Sequence, residues 1–91
     1  MTVLVRVPTI LRPLTGGAAE VSVEGATLAD VLDALEADHT GIRARVLDED
    51  GKLRRFVNVY VNDDDVRFAE GLQTATPDGA SVSIIPAVAG G

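Results

Sequence analysis

Thr27-Leu28-Ala29-Asp30-Val31-Leu32-Asp33-Ala34-Leu35 is the stretch on which the fold turns. Leu28, Val31, Leu32 and Leu35 recur at i, i+3, i+4 and i+7, which lines them along one stripe of an α-helix. Thr27 stands at the N-cap position with an acidic residue, Asp30, three places on, the signature of a helix start. Asp30, Asp33, Glu36 and Asp38 fall mostly on the water side, and the first two also suit the positive end of the helix dipole. Gly41 is the natural stop. A helix of about three turns is marginal by itself in water, so its apolar stripe has to cover something, and the flanking sequence reads as strands.

Upstream, Val3, Val5 and Val7 alternate with Leu4 and Arg6, the period of a strand with one face in a core. Pro8 ends it. Thr9 to Gly17 reads as a broad turn leading into a second strand near Glu20-Val21-Ser22-Val23, so that the two strands form an antiparallel hairpin. Downstream, Ile42, Val46 and Leu47 predict one more short helical turn. Asp48-Glu49-Asp50-Gly51 is a solvated loop tip that lacks the alternating ligands and closing glutamate of a calcium loop. Arg55-Phe56-Val57-Asn58-Val59-Tyr60-Val61-Asn62 is the clearest strand, with its valines toward the core and Phe56, Asn58 and Tyr60 on the other face. Asp63-Asp64-Asp65 reads as a hairpin tip, and Val66-Arg67-Phe68 as a short strand after it. Leu72 anchors a loop, Pro77-Asp78-Gly79 is a turn, and Ser81-Val82-Ser83-Ile84-Ile85 is a final strand with Val82 and Ile84 inward and Ile85 outward. Hairpin, helix, strand, strand implies an α+β fold of the β-grasp type: a mixed sheet wrapped over one main helix, with the first and last strands parallel at its centre. Residues 1–86 make a single domain, and residues 87–91 a tail.

Composition narrows the chemistry. The chain of 91 residues contains no cysteine, which excludes a disulfide framework, a thiolate metal site and a cysteine nucleophile. Fourteen acidic residues against eight basic ones leave a net charge of −6, the wrong sign for nucleic acid or an anionic membrane; the expected partner is a protein with a basic face. No apolar run approaches a membrane span and the amino terminus does not read as a signal peptide, so the cytoplasm is the expected compartment. His39, the single histidine, has no second ligand-type residue at metal spacing and reads as a turn residue. No nucleophile-base pair and no metal cluster point to an enzyme.

The end of the chain carries the one unusual feature. Ile84-Ile85-Pro86 closes a strand and Ala87-Val88-Ala89-Gly90-Gly91 follows it. Two glycines without Cβ atoms can thread a channel too narrow for side chains and present the Gly91 carboxylate at its tip. Phe56 and Tyr60 lie on the sheet face that the helix does not cover, and with Ile85, Pro86 and Val88 they are the expected partner-binding surface, ringed by acidic residues that set orientation.

Three stretches, Pro8-Thr9-Ile10-Leu11-Arg12, Arg55 through Phe68, and Asp78-Gly79 through Gly91, together make the chain resemble the ubiquitin-like sulfur carriers of the MoaD/ThiS family, most of all its actinobacterial CysO-type members. The similarity runs over essentially the whole chain. Ala80 departs from the acidic residue that many relatives carry after the Asp-Gly turn. The resemblance implies that an E1-like adenylyltransferase/sulfurtransferase uses ATP with Mg to adenylate the Gly91 carboxylate, and that a sulfur donor then displaces AMP to leave a thiocarboxylate. Val88, Ala89, Gly90 and Gly91 form the tail that enters the partner. In CysO-type relatives the acceptor is a PLP-dependent cysteine synthase, and a zinc metallopeptidase releases the product; other relatives supply molybdopterin, thiamine or thiosugar pathways. ATP, PLP and zinc would all belong to partners. Two rivals share the fold: a ubiquitin-like modifier conjugated through Gly91, and a plain β-grasp binding module that needs no particular terminus.

Overall fold

Alternating valines build the centre of a five-stranded sheet. In the computed structural model, which describes residues 2–55 and 57–86, β1 (Thr2–Arg6) and β2 (Glu20–Glu24) form the antiparallel hairpin, with Val3 opposite Val23 and Val5 opposite Val21. β3 (Val57–Val61) runs antiparallel to β5 (Ser81–Pro86), and β4 (Asp64–Asp65) closes the far edge. β5 pairs in parallel with β1, so the order across the sheet is β2-β1-β5-β3-β4. The last strand therefore lies in the middle.

α1 (Leu28–Asp38) packs on one face of this sheet. The Thr27 side chain accepts the Asp30 N–H at 3.3 Å, which satisfies one of the helix's orphan donors. Leu28, Val31, Leu32 and Leu35 are all fully buried and meet Val3, Val5, Val59, Val82 and Ile84 in one core. Gly25, at the turn from β2 toward the helix, makes this approach possible: a Cβ there would lie 2.8 Å from the Val31 nitrogen. α2 (Ile42–Val46) follows after Gly41, which sits at φ 101, and buries Ile42 and Val46. The helix, the hairpin and the inward valines are as the residue pattern requires. Together they make a β-grasp.

Three stretches differ from the sequence reading. Thr9–Thr15, read as part of a broad turn, is a 3-10 helix, with Leu11 and Thr15 buried and the Thr15 hydroxyl held by the Arg12 and Ala18 carbonyls. Val66–Phe68, read as a strand, is a 3-10 turn. The Asp65 carboxylate accepts the Arg67 N–H at 2.8 Å and caps it, turning the chain out of the sheet after the two residues of β4. Ala80, which follows the Asp-Gly turn, is buried rather than part of the turn, and its carbonyl accepts the Leu4 N–H at 2.9 Å. A side chain the size of Ala suits it.

The β3–β4 connection is a two-residue hairpin in which Asn62 and Asp63 both have positive φ, 50 and 76, the geometry that matches strand twist and that Asn and Asp tolerate. Asn62 also bridges to β5: its N–H donates to the Ser81 carbonyl and its Oδ1 accepts the Ser81 N–H, both at 2.9 Å. This holds the start of the final strand in place.

Candidate functional site

The site begins where β5 turns its side chains. Val82 and Ile84 point into the core, so Ser83 and Ile85 point to the face away from α1, and Ile85 remains 48% exposed. In the β3–β5 register Asn58 stands opposite Ile85 and Tyr60 opposite Ser83. Tyr60 and Ile85 are thus diagonal neighbours, within reach of each other for a long or aromatic side chain. Arg6, opposite Ser83 on the β1 side, and Asp63, from the hairpin turn, complete a shallow hollow lined by Arg6, Tyr60, Asp63, Ser83 and Ile85. One aspartate and one arginine line this hollow. Pro86 ends β5 opposite Val57. Phe56 and the tail residues Val88, Ala89, Gly90 and Gly91 lie outside the described residues. An aromatic ring, an isoleucine and a few polar groups on an open sheet face suit contact with another protein; they offer no nucleophile and base within reach of each other.

The titrating groups with displaced pKa values do structural work. Glu36 accepts the backbone N–H of Gly41 at 2.9 Å and of Arg43 at 3.0 Å, which holds its carboxyl below the usual range, with the Arg43 charge a smaller cause. Asp48 is lowered chiefly by the Lys52 N–H, at 3.0 Å, and also by that of Asp50. Both carboxylates line a hollow beside Leu47 and Arg54, but they are occupied in closing the turn before α2 and the loop after it. Among the described residues no group of His, Cys, Asp or Glu side chains is placed to hold a metal ion. His39 caps α1, donating its N–H to the Leu35 carbonyl at 2.7 Å. No described helix is long and apolar enough to cross a membrane.

The sequence reading missed a cluster of arginines at the end of the sheet where β5 finishes. The Arg67 guanidinium donates to the Asn58 amide oxygen at 2.7 Å and to the carbonyls of Arg54, Arg55 and Val57. Arg54 Nε donates to the Ala44 carbonyl at 2.9 Å, and Arg12 Nε to the Val7 carbonyl at 3.2 Å. These residues come from three separate stretches of chain, so no local motif announces them.

Residues 5–91 match the family described as ThiS family. The chain belongs to the ThiS family. This ThiS-family chain is 59% identical over 93 aligned positions to the sulfur carrier protein CysO of Mycobacterium tuberculosis, and the match covers the whole of both proteins. Its structure superposes on a chain of the crystal structure of the Amycolatopsis orientalis BexX/CysO complex with a TM-score of 0.92 and 53% identity, covering 98% of this chain and 99% of that one. It is also 44% identical over 68 residues to small archaeal modifier protein 3 of Haloferax volcanii, a match covering 75% of this chain and 73% of the relative.

Proposed function

We propose that this ThiS-family protein is a sulfur carrier whose Gly91 carboxylate is converted to a thiocarboxylate and then delivers its sulfur to a biosynthetic enzyme, with cysteine biosynthesis the first candidate pathway. The observation that carries the reading is the end-to-end identity with the CysO sulfur carrier. A carboxylate is a poor electrophile. Activation needs an E1-like partner that transfers AMP from ATP to the Gly91 carboxylate, releasing pyrophosphate. A sulfur nucleophile then attacks the acyl carbon and the AMP leaves, so that the acyl group ends on sulfur. The chain itself supplies the handle: β5 is braced on both sides by β1 and β3, and the Tyr60–Ile85 face beside it is the proposed docking surface, with Phe56, Pro86 and Val88 adding to it. Such a surface is needed because ordering a tail in a channel opposes binding by about 1 to 2 kcal/mol per residue. The sulfur acceptor proposed is a PLP-dependent cysteine synthase, with a metallopeptidase to release the product and the cytoplasm as the site of action.

Intact mass spectrometry after incubation with the activating enzyme, nucleotide and sulfide tests this directly. The expected result is the increment of one oxygen-to-sulfur exchange, lost on deletion of Gly91; a truncated chain that still gains sulfur refutes the reading. A second reading, attachment of Gly91 to target lysines, draws on the similarity to small archaeal modifier protein 3. It predicts higher-mass conjugates in immunoblots of cells, and the carrier reading predicts none.

A further inference from the structure

We infer that the end of the sheet from which the chain runs on toward Gly91 is an arginine-lined docking surface for a protein partner that presents carboxylates around the site receiving the last residues. The inference rests on the sulfur-carrier reading only for the identity of that partner. β5 ends at Pro86 opposite Val57, and β1, parallel to β5, ends on the same side. Residues just before β3 and just after β1 therefore share one end of the molecule. Arg54, Arg55, Arg67 and Arg12 gather there.

How these arginines are held decides what they can do. Arg12, Arg54 and Arg67 are anchored by backbone carbonyls and, for Arg67, by the Asn58 amide as well. Neutral oxygens fix a guanidinium in place without cancelling its charge, and the planar fork keeps donors for a carboxylate. Among the described residues the ion pairs are Arg6–Glu20, at 3.7 Å, and Arg43–Asp33, at 3.0 Å, and neither involves this group. Asp48 lies beside Arg54, Arg55 and Val57, but its Oδ1 is already engaged by the Asp50 and Lys52 N–H groups. Glu36 and Glu49 share a second hollow with Arg54 and Asp48, and Glu36 is likewise engaged, by the Gly41 and Arg43 N–H groups; none of these carboxylates forms an ion pair with Arg12, Arg54, Arg55 or Arg67 among the described residues.

A separate group of carboxylates lies at the other end. Asp63, Asp64 and Asp65 follow β3 at its far end, Asp78 precedes β5, and Glu24 closes β2 opposite Thr2. Although the chain carries a net charge of −6, these arginines are thus placed at the end where β5 finishes, beside carboxylates of their own. Net charge alone predicts a partner with a basic face; the arginines placed here instead offer donors to a partner's carboxylates. A nucleic acid would meet the acidic remainder as it ran along the protein, whereas a local patch of carboxylates meets only the arginines. Two exposed isoleucines lie toward this end, Ile85 on β5 opposite Asn58 and Ile10, 62% exposed, two residues before Arg12. Apolar side chains interleaved with arginine are the composition of a protein contact rather than a phosphate site.

Stopped-flow association of the full chain with the E1-like activating enzyme provides the test. Arg55→Glu is the first variant, since its exposed side chain makes no hydrogen bond among the described residues; the double variant Arg12→Glu/Arg55→Glu follows. We expect association to slow by roughly tenfold or more at low salt, and the rates to converge as the Debye length shrinks to about 3 Å near 1 M salt. Sulfur loading at saturating enzyme should reach the wild-type extent. Asp64→Arg at the opposite end should leave association unchanged or faster. Arg55→Glu associating as fast as wild type, or faster, overturns the inference. NMR titration with a polyglutamate peptide needs no sulfur chemistry: shifts confined to residues 7–12, 54–58 and 67 support it, and tighter binding of a single-stranded DNA oligonucleotide at the same residues overturns the choice of a protein partner. A wild-type chain that never exchanges oxygen for sulfur removes the carrier reading and leaves the peptide result standing.

Discussion

Replacing Gly25 by alanine sets two effects of opposite sign against each other. Gly25 lies outside the positive-φ region, so the backbone accepts an L-residue, and the loss of chain freedom in the unfolded state would by itself stabilise the protein by about 0.4–1 kcal/mol. Against this, the new Cβ would stand 2.8 Å from the Val31 nitrogen, 2.9 Å from Val31 Cγ2 and 3.1 Å from the Asp30 carbonyl carbon. Two of those atoms are helix backbone and cannot swing aside. Pushing α1 away from β2 to make room is overpacking, which costs about 1–3 kcal/mol. The clash wins, leaving a net loss of roughly 1–2 kcal/mol, which in a domain of this size lowers Tm by roughly 5–15 °C. Thermal unfolding followed by circular dichroism reads this directly. Gly51→Ala is the control: its Cβ meets nothing within 4 Å, and only φ 77 opposes it, so Gly51→Asn, which tolerates that conformation, should recover most of any loss. A Gly25→Ala protein that melts at or above the wild-type temperature refutes the packing argument.

Two further outcomes follow from the site. Glu36 has its pKa lowered by the Gly41 and Arg43 N–H groups, so the stability it contributes is present above the ordinary carboxylate range and is lost as pH falls through the lowered folded value. Glu36→Gln should therefore flatten part of the acid limb of a Tm-versus-pH profile, and an unchanged profile contradicts the capping role. Ile85→Glu places a charge on a half-exposed position outside the core, so Tm should move by less than about 0.5 kcal/mol equivalent, while calorimetric titration against the activating enzyme should show at least about tenfold weaker binding. Equal affinity would remove Ile85 from the docking surface.

Most of the fold is written in local pattern. Thr27 with Leu28, Val31, Leu32 and Leu35 marks the helix, and the alternating valines of β1 and β3 mark their buried faces, because period and capping act over a few residues. What escaped depends on contacts between distant residues or on one side chain overriding propensity. Val66-Arg67-Phe68 has the composition of a strand, yet the Asp65 carboxylate captures the Arg67 N–H and ends β4 first. Ala80 follows a turn signal but is buried because Leu4 bonds its carbonyl across 76 residues of chain. Tyr60 and Ile85 could be assigned to one face from alternation alone, and the register bears that out. The arginines at the strand ends could not be assembled from sequence, since Arg67 reaches the Arg54 carbonyl, and Arg12 shares their end, only once β1, β3 and β5 are laid side by side. Charge summed over the chain hides charge sorted in space.

The central position of β5 has a mechanical consequence. A pull on the carboxyl end would run along a strand hydrogen-bonded on both flanks, to β1 in parallel and to β3 antiparallel. The load would fall on both ladders at once, in shear, instead of peeling an edge strand bond by bond. A machine that hauled this protein by its last residues would have to break the middle of the sheet before anything else gave way.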